Sequence, residues 1–151
     1  MSEGPDRWHR WLTDVRFGGD PAVREQVLTD LLYPVRDTVL DTVLDKARLR
    51  PGDTVLDVGA GDGLIAFGAL DRVGPSGQVI FSDISADLLD HCRAAAAAEG
   101  LLDQCSFVLA SADSLGGIGD SSVDVVTTRS VLIYVPVALL VPGGPPDAVP
   151  V

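Results

Sequence analysis

Several things are scarce in this 151-residue chain, and each scarcity removes a class of explanation. There are two cysteines, Cys92 and Cys105, with no CxxC or Cys/His spacing around either. A disulfide or thiolate metal site is therefore not expected, and both read as small buried hydrophobes. No apolar run approaches the ~18 residues of a membrane span. The N-terminal "MSEGPDRWHRW" has no apolar stretch behind its basic residues, so a secretory signal is not expected and a cytoplasmic location is. Basic residues nearly vanish after position 50: residues 51–151 hold 3 Lys/Arg against 13 Asp/Glu, whereas residues 1–50 hold 8 against 9. Nearly all of the net charge of −11 thus falls on the second part. Such a surface repels phosphates, which excludes nucleic acid as the expected partner and favours a neutral or cationic ligand.

What the chain does have is enough apolar material, 46% hydrophobic residues against 22% charged, for one folded unit with a core. Its organisation reads as a helical arm or cap over residues 1–50, a core over 51–135 and an irregular Pro/Gly-rich tail over 136–151. Trp8, Trp11 and Phe17 give the arm a face to pack on the body. Asp20 and Pro21 supply a helix start, a side-chain acceptor followed by a residue of fixed φ. Val27, Leu31, Val35, Val39 and Val43 then recur every four residues. That stripe predicts helix over 21–48, divided near Pro34, whose ring crowds the preceding turn.

After the turn "RPGD" the pattern alternates. Strands are predicted at 54–58, 78–82, 105–110 and 123–128. Helices are predicted at 64–72 and 86–99, the second with Ser85 as its N-cap. This βαβ alternation predicts an α/β fold, a Rossmann-like and mostly parallel sheet with helices on its faces. The run of five alanines at 94–98 reads as a closely packed helix face.

The stretch "VLDVGAGDGLIAFGAL", residues 55–70, carries the chemistry. Glycines at 59, 61 and 63 let the backbone pass close to a ligand and open a helix whose N–H groups point at the site. Many nucleotide-binding proteins use that device, and the spacing sorts among them. A dinucleotide fingerprint, G-x-G-x-x-G, needs glycine where Leu64 stands. Asp57 would moreover set a carboxylate beside a pyrophosphate. A nucleoside carrying positive charge would instead gain from it.

Here the chain resembles the class I S-adenosylmethionine-dependent methyltransferases. "VLDVGAGDG" is similar to their first motif, "VIFSDIS" with Asp83 to their acidic strand-two end, and "FVLASADSLGGIGDSSVDVVTTRSVLIYV" to their third and fourth strands. The match runs over roughly residues 20–135, and the three motifs stand in order at family spacing. The resemblance implies S-adenosylmethionine as cofactor, a small-molecule methyl acceptor as partner and a sheet order of 3-2-1-4. Residue by residue, it implies that Gly59, Ala60, Gly61 and Gly63 carry the backbone past the methionine moiety and that Asp57 supports its amino group. Asp83 would take both ribose hydroxyls, Ile84 pack on the adenine face, Asp113 beside Ala112 accept from the adenine N6 amino group, and Arg129 lie near the methionine end.

Singly, these residues have structural alternatives: Asp57 could cap the turn, Asp113 could be a loop acceptor, and Ile84 could be core. Asp83 is harder to dismiss, because a charged residue ending a buried strand is costly without a partner. No catalytic base is named, since methyl transfer chiefly needs alignment and exclusion of water. His9 and His91 qualify by chemistry alone, and His91 falls in the helix after strand two, remote from the acceptor side. Relatives of the resembled fold continue past strand four with further helices and strands, whereas here "VPVALLVPGGPPDAVPV" follows. Its prolines cannot make the next helix or a central strand. The expectation is thus a chain lacking the family's C-terminal half, impaired in turnover, with strand four an open edge. That edge bears Val123, Val125, Val126, Val131, Leu132 and Ile133 and is expected to self-associate. A non-catalytic cofactor-binding module is the alternative, and a nicotinamide-dependent oxidoreductase is disfavoured by Leu64 and Asp57.

Overall fold

A computed structural model places Ala22, residues 33–129, Val131 and Leu132. The expectations for the arm, for Val27 and Leu31, and for the tail at 136–151 lie outside these described residues. The chain runs through α1 (Tyr33–Ala47), β1 (Thr54–Val58), α2 (Leu64–Val73), β2 (Gln78–Asp83), α3 (Ala86–Ala98), a 3-10 turn (Leu102–Gln104), β3 (Cys105–Leu109) and β4 (Val125–Thr128). All strand pairs are parallel and the sheet order is β3-β2-β1-β4. This is a Rossmann-like α/β sheet, and it sets the C-terminal ends of all four strands along one edge.

Strand pleating decides what is buried. Val55, Val79, Phe81, Phe107 and Val125 point to one face. There they meet Leu44 of α1, Ile65, Ala66, Ala69, Leu70 and Val73 of α2, and Leu89 and Cys92 of α3. Phe81 is fully buried, its ring edge-on to Phe67 at 5.1 Å and tilted against Phe107 at 5.0 Å. On the opposite face Val126 is 55% exposed. The 110–124 connection approaches that face where Gly117 passes the Val108 side chain.

Pro34 sits in the first turn of α1, where its missing N–H would have no helical partner anyway. The buried side of α1 is Leu44, with Leu40 and Val43 packed beside it, so of the predicted stripe Val43 lies on the contact face and Val39 does not. A strict spacing of four drifts by roughly 40° per step on a helix of 3.6 residues per turn, so the stripe cannot stay on one contact face. Arg72 of α2 reaches back to Asp41 and Asp45 of α1 at 3.2 and 2.9 Å, an exposed fork across the two helices.

Element ends follow from specific hydrogen bonds. β4 begins at Val125 rather than Val123 because Asp124 closes the ladder itself: its N–H donates to the Thr54 carbonyl at 2.8 Å, and its carboxylate accepts the Thr54 N–H at 2.8 Å. β2 runs one residue further than predicted, because Asp83 still pairs with Leu109 of β3. Ser85 caps α3, its hydroxyl accepting the Leu88 N–H at 3.1 Å. Gln104 donates to the carbonyls of Gly74 and Gly77 at 2.7 and 3.0 Å, holding the "GPSG" loop before β2. No helix among the described residues is long and apolar enough to cross a membrane.

Candidate functional site

The site is built on the turn at residues 59–63, between β1 and α2. Gly59, Gly61 and Gly63 have φ of +70°, +58° and +89°, so the backbone winds through left-handed conformations that side chains disfavour. At Gly63 a Cβ would also strike the Phe67 ring and stand 3.1 Å from Cys92 Sγ. At Gly59 that space is filled by Val131. Gly63 is thus bare to admit its own protein's core, which the ligand-approach reading of the glycines did not anticipate.

The end of β2 holds this turn in place. The Ser82 carbonyl accepts the N–H groups of Gly59 and Ala60 at 2.8 and 2.9 Å. One oxygen of Asp83 accepts the Gly61 N–H at 2.9 Å and the other accepts the Ser85 N–H at 3.0 Å. From below, the Cys92 thiol donates to the Gly61 carbonyl at 3.4 Å. Burial pushes that thiol up to about 12, so it stays neutral and serves as a packed donor. Both cysteines are free thiols.

Asp83 is only 8% exposed, and two backbone donors fix its orientation. Each of its oxygens retains a second acceptor position. Its neighbour Ile84 is 54% exposed, so the core alternative for that residue is set aside. An aimed carboxylate beside an open apolar side chain suits a ligand that offers hydroxyls next to a flat ring.

Asp57 lies deeper. It shares a cross-sheet row with Phe107, Phe81 and Thr127 and is 2% exposed. The Thr127 hydroxyl donates to its carboxyl at 2.8 Å, and the Ala66 N–H, in the first turn of α2, donates as well. Burial pushes Asp57 up to about 7 despite these two donors, and the nearby charges of Asp83 and Asp62 act in the same direction. The turn-capping alternative for Asp57 therefore holds in part, through Ala66, without removing it from the site.

Ala112 and Asp113 follow β3 in a turn closed by Ser114 and Leu115 N–H groups on the Ser111 carbonyl, at 3.2 and 2.9 Å. Ala112 is half-buried and Asp113 exposed; Arg129, directly after β4, is exposed too. The parallel topology thus brings all ten candidate positions to one edge. Hydrogen bonds tie only the β1 and β2 members to one another. His91 is exposed on α3, and His9 lies outside the described residues. Among the described residues no group of His, Cys, Asp and Glu could hold a metal ion.

Thr127 and Ser82 were not singled out from sequence; Cys92 was read only as a buried hydrophobe and Val131 only as part of an open strand edge, whereas Cys92 bonds the Gly61 carbonyl and Val131 packs on Gly59. Thr127 had a readable signal, the "TT" closing a strand whose neighbour carries an acidic residue, but pairing it with Asp57 needs the register. Residues 55–141, more than half of the chain, match the methyltransferase domain family. The chain belongs to that family.

Its relatives include a ubiquinone/menaquinone biosynthesis C-methyltransferase from Stenotrophomonas maltophilia, 38% identical over 81 residues, or 54% of this chain and 32% of the relative. Another is a nocamycin O-methyltransferase from Saccharothrix syringae, 44% identical over 59 residues, 39% of this chain and 21% of the relative. The chain therefore spans about a third or less of the length of these curated methyltransferases. Among solved structures, a SAM-dependent methyltransferase from Aquifex aeolicus superposes with a TM-score of 0.57 at 22% identity, covering 72% of this chain and 56% of that one. That likeness supports the fold.

Proposed function

We propose that this methyltransferase-domain chain binds S-adenosylmethionine at the turn of residues 59–63 and serves methyl transfer to a small-molecule acceptor. The observation that carries the reading is the Asp83 carboxylate, buried and aimed by Gly61 and Ser85 beside an exposed Ile84. Those groups fit a ribose and an adenine face. Asp57 would meet the ammonium end of the methionine moiety, the backbone of Gly59, Ala60, Gly61 and Gly63 would pass beside that moiety, and Arg129 would stand near it. Asp113, beside Ala112, would accept from the adenine amino group. When bound, S-adenosylmethionine supplies a methyl carbon already activated by its sulfonium, so the protein's work is to bind, orient and exclude water. The relatives named above differ in acceptor atom, carbon in one and oxygen in the other, so the family does not specify it. The reading includes a cytoplasmic protein that self-associates along β4, where Val126 is exposed, with Leu132 exposed beyond the strand's end.

Calorimetric titration with S-adenosylhomocysteine and with NAD tests the binding reading. Tighter binding of S-adenosylhomocysteine is expected, and tighter binding of NAD would overturn it. A methyl-transfer assay with quinol and phenol acceptors then separates an enzyme from a module that binds without turnover.

A further inference from the structure

Asp57 and Thr127 are 70 positions apart in sequence, yet they are direct partners in the β1–β4 register, and their side chains meet at 2.8 Å. Both are buried, at 2% and 4% exposure. A β-branched side chain suits this strand position, and valine would fill the same volume with the same backbone preference. The hydroxyl is therefore not needed to build β4. It has one proton to donate, and that proton goes to Asp57.

We propose that Thr127 is a positioning residue of the cofactor site, its hydroxyl holding the Asp57 carboxyl in the orientation and ionised state that receive a ligand's ammonium group. The inference rests on the reading that S-adenosylmethionine binds here. Two groups favour the carboxylate form, Thr127 from β4 and the Ala66 N–H from α2. Against them stand burial, Asp83 at the end of β2 and Asp62 in the turn. Cys92 from α3 faces the same carboxylates as a neutral thiol. Beside the row, α2 contributes Ile65, Ala66 and Ala69, and α1 contributes Leu44, none of them charged. Losing either donor tilts Asp57 toward its neutral form, which attracts an ammonium group poorly. A donor on β4 also makes the state of the β1 carboxylate depend on how β4 is seated.

The test measures S-adenosylhomocysteine affinity by calorimetry from pH 5.5 to 8.5 for wild type, Thr127→Val and Thr127→Ser. In parallel, the Asp57 carboxyl carbon is titrated by NMR in the ligand-free proteins. Removing a hydrogen bond to a charged group should move both midpoints of the valine variant upward by about one pH unit and weaken binding at pH 7 by roughly fivefold. The serine variant should restore both. A valine variant with wild-type midpoints, or a serine variant that fails to restore them, would overturn the assignment. If S-adenosylhomocysteine binds none of the three, wild type included, the functional reading fails, and the carboxyl titration still decides whether Thr127 sets the state of Asp57. Should the valine variant not fold, Thr127→Ala replaces it in both measurements.

Discussion

The two sides of the site are built differently. On the β1–β2 side, Asp57, residues 59–63 and Asp83 are joined by backbone and side-chain hydrogen bonds and packed over the rings of Phe67, Phe81 and Phe107. On the β3–β4 side, Asp113 and Arg129 stand exposed. The 110–124 connection between those strands puts Leu115 and Ser121 at positive φ, without the glycine that such conformations favour. The first side is fixed by the fold, so under the proposed function its residues would act on stability and binding together. Residues of the second side would then act on ligand alone. Mutations should expose that difference.

The largest effect is expected at Asp57, on pH. Its folded pKa of about 7 lies above the ordinary carboxyl value of 3.8 that the unfolded chain shows, so the native state holds the extra proton between those limits. The associated stabilisation is complete below about pH 4 and is lost as pH rises through about 7, an amount on the order of 4 kcal/mol. Asp57→Asn should flatten this slope, as urea unfolding at pH 5 and pH 8 would reveal. Parallel slopes in the two proteins would place the ionisation elsewhere.

Asp83→Ala comes next. It strips the acceptor from two N–H groups, Gly61 and Ser85, of which the second is buried. Unpaired donors cost about 1–3 kcal/mol each, so the variant should unfold earlier in urea and also bind S-adenosylhomocysteine more weakly. Asp113→Ala, on the open side, should leave the urea midpoint unchanged and weaken binding by about 1 kcal/mol, the share of one hydrogen bond. Were Asp113→Ala to destabilise as much as Asp83→Ala, the contrast between the two sides would be lost. The last and smallest effect is expected at Val126, outside the site and half-exposed on the strand that ends the described sheet. Val126→Lys should stay within about 0.5 kcal/mol of wild type while reducing self-association in sedimentation, because edge lysines oppose strand pairing.

Much of this was legible in the chain. Among the described residues, the alternation of apolar runs located the four strands and the two crossover helices, and Ser85 announced the start of α3. The glycines and Asp83 could be read because turn chemistry and a charge at a strand end are local signals. Thr127 could not, since its role exists only once β4 pairs with β1 in register. The buried face of α1 was displaced because a spacing of four is not the helical repeat, which left Leu44 inside and Val39 only half-buried. The row of valines expected along one open edge splits by pleating, with Val125 against the core and Val126 outward, while Ile133 lies outside the described residues.

The central claim, that a nucleoside is held at the β1–β2 end of the sheet, is tested most directly by amide chemical-shift mapping. Isotope-labelled protein is titrated with S-adenosylhomocysteine and the backbone N–H signals are followed. The account predicts that the largest shifts fall on Gly59, Ala60, Gly61, Asp83 and Ile84, with smaller ones at Ala112 and Asp113. Saturable shifts confined to α1 and the outer face of α2, or none at all at millimolar ligand, would contradict it.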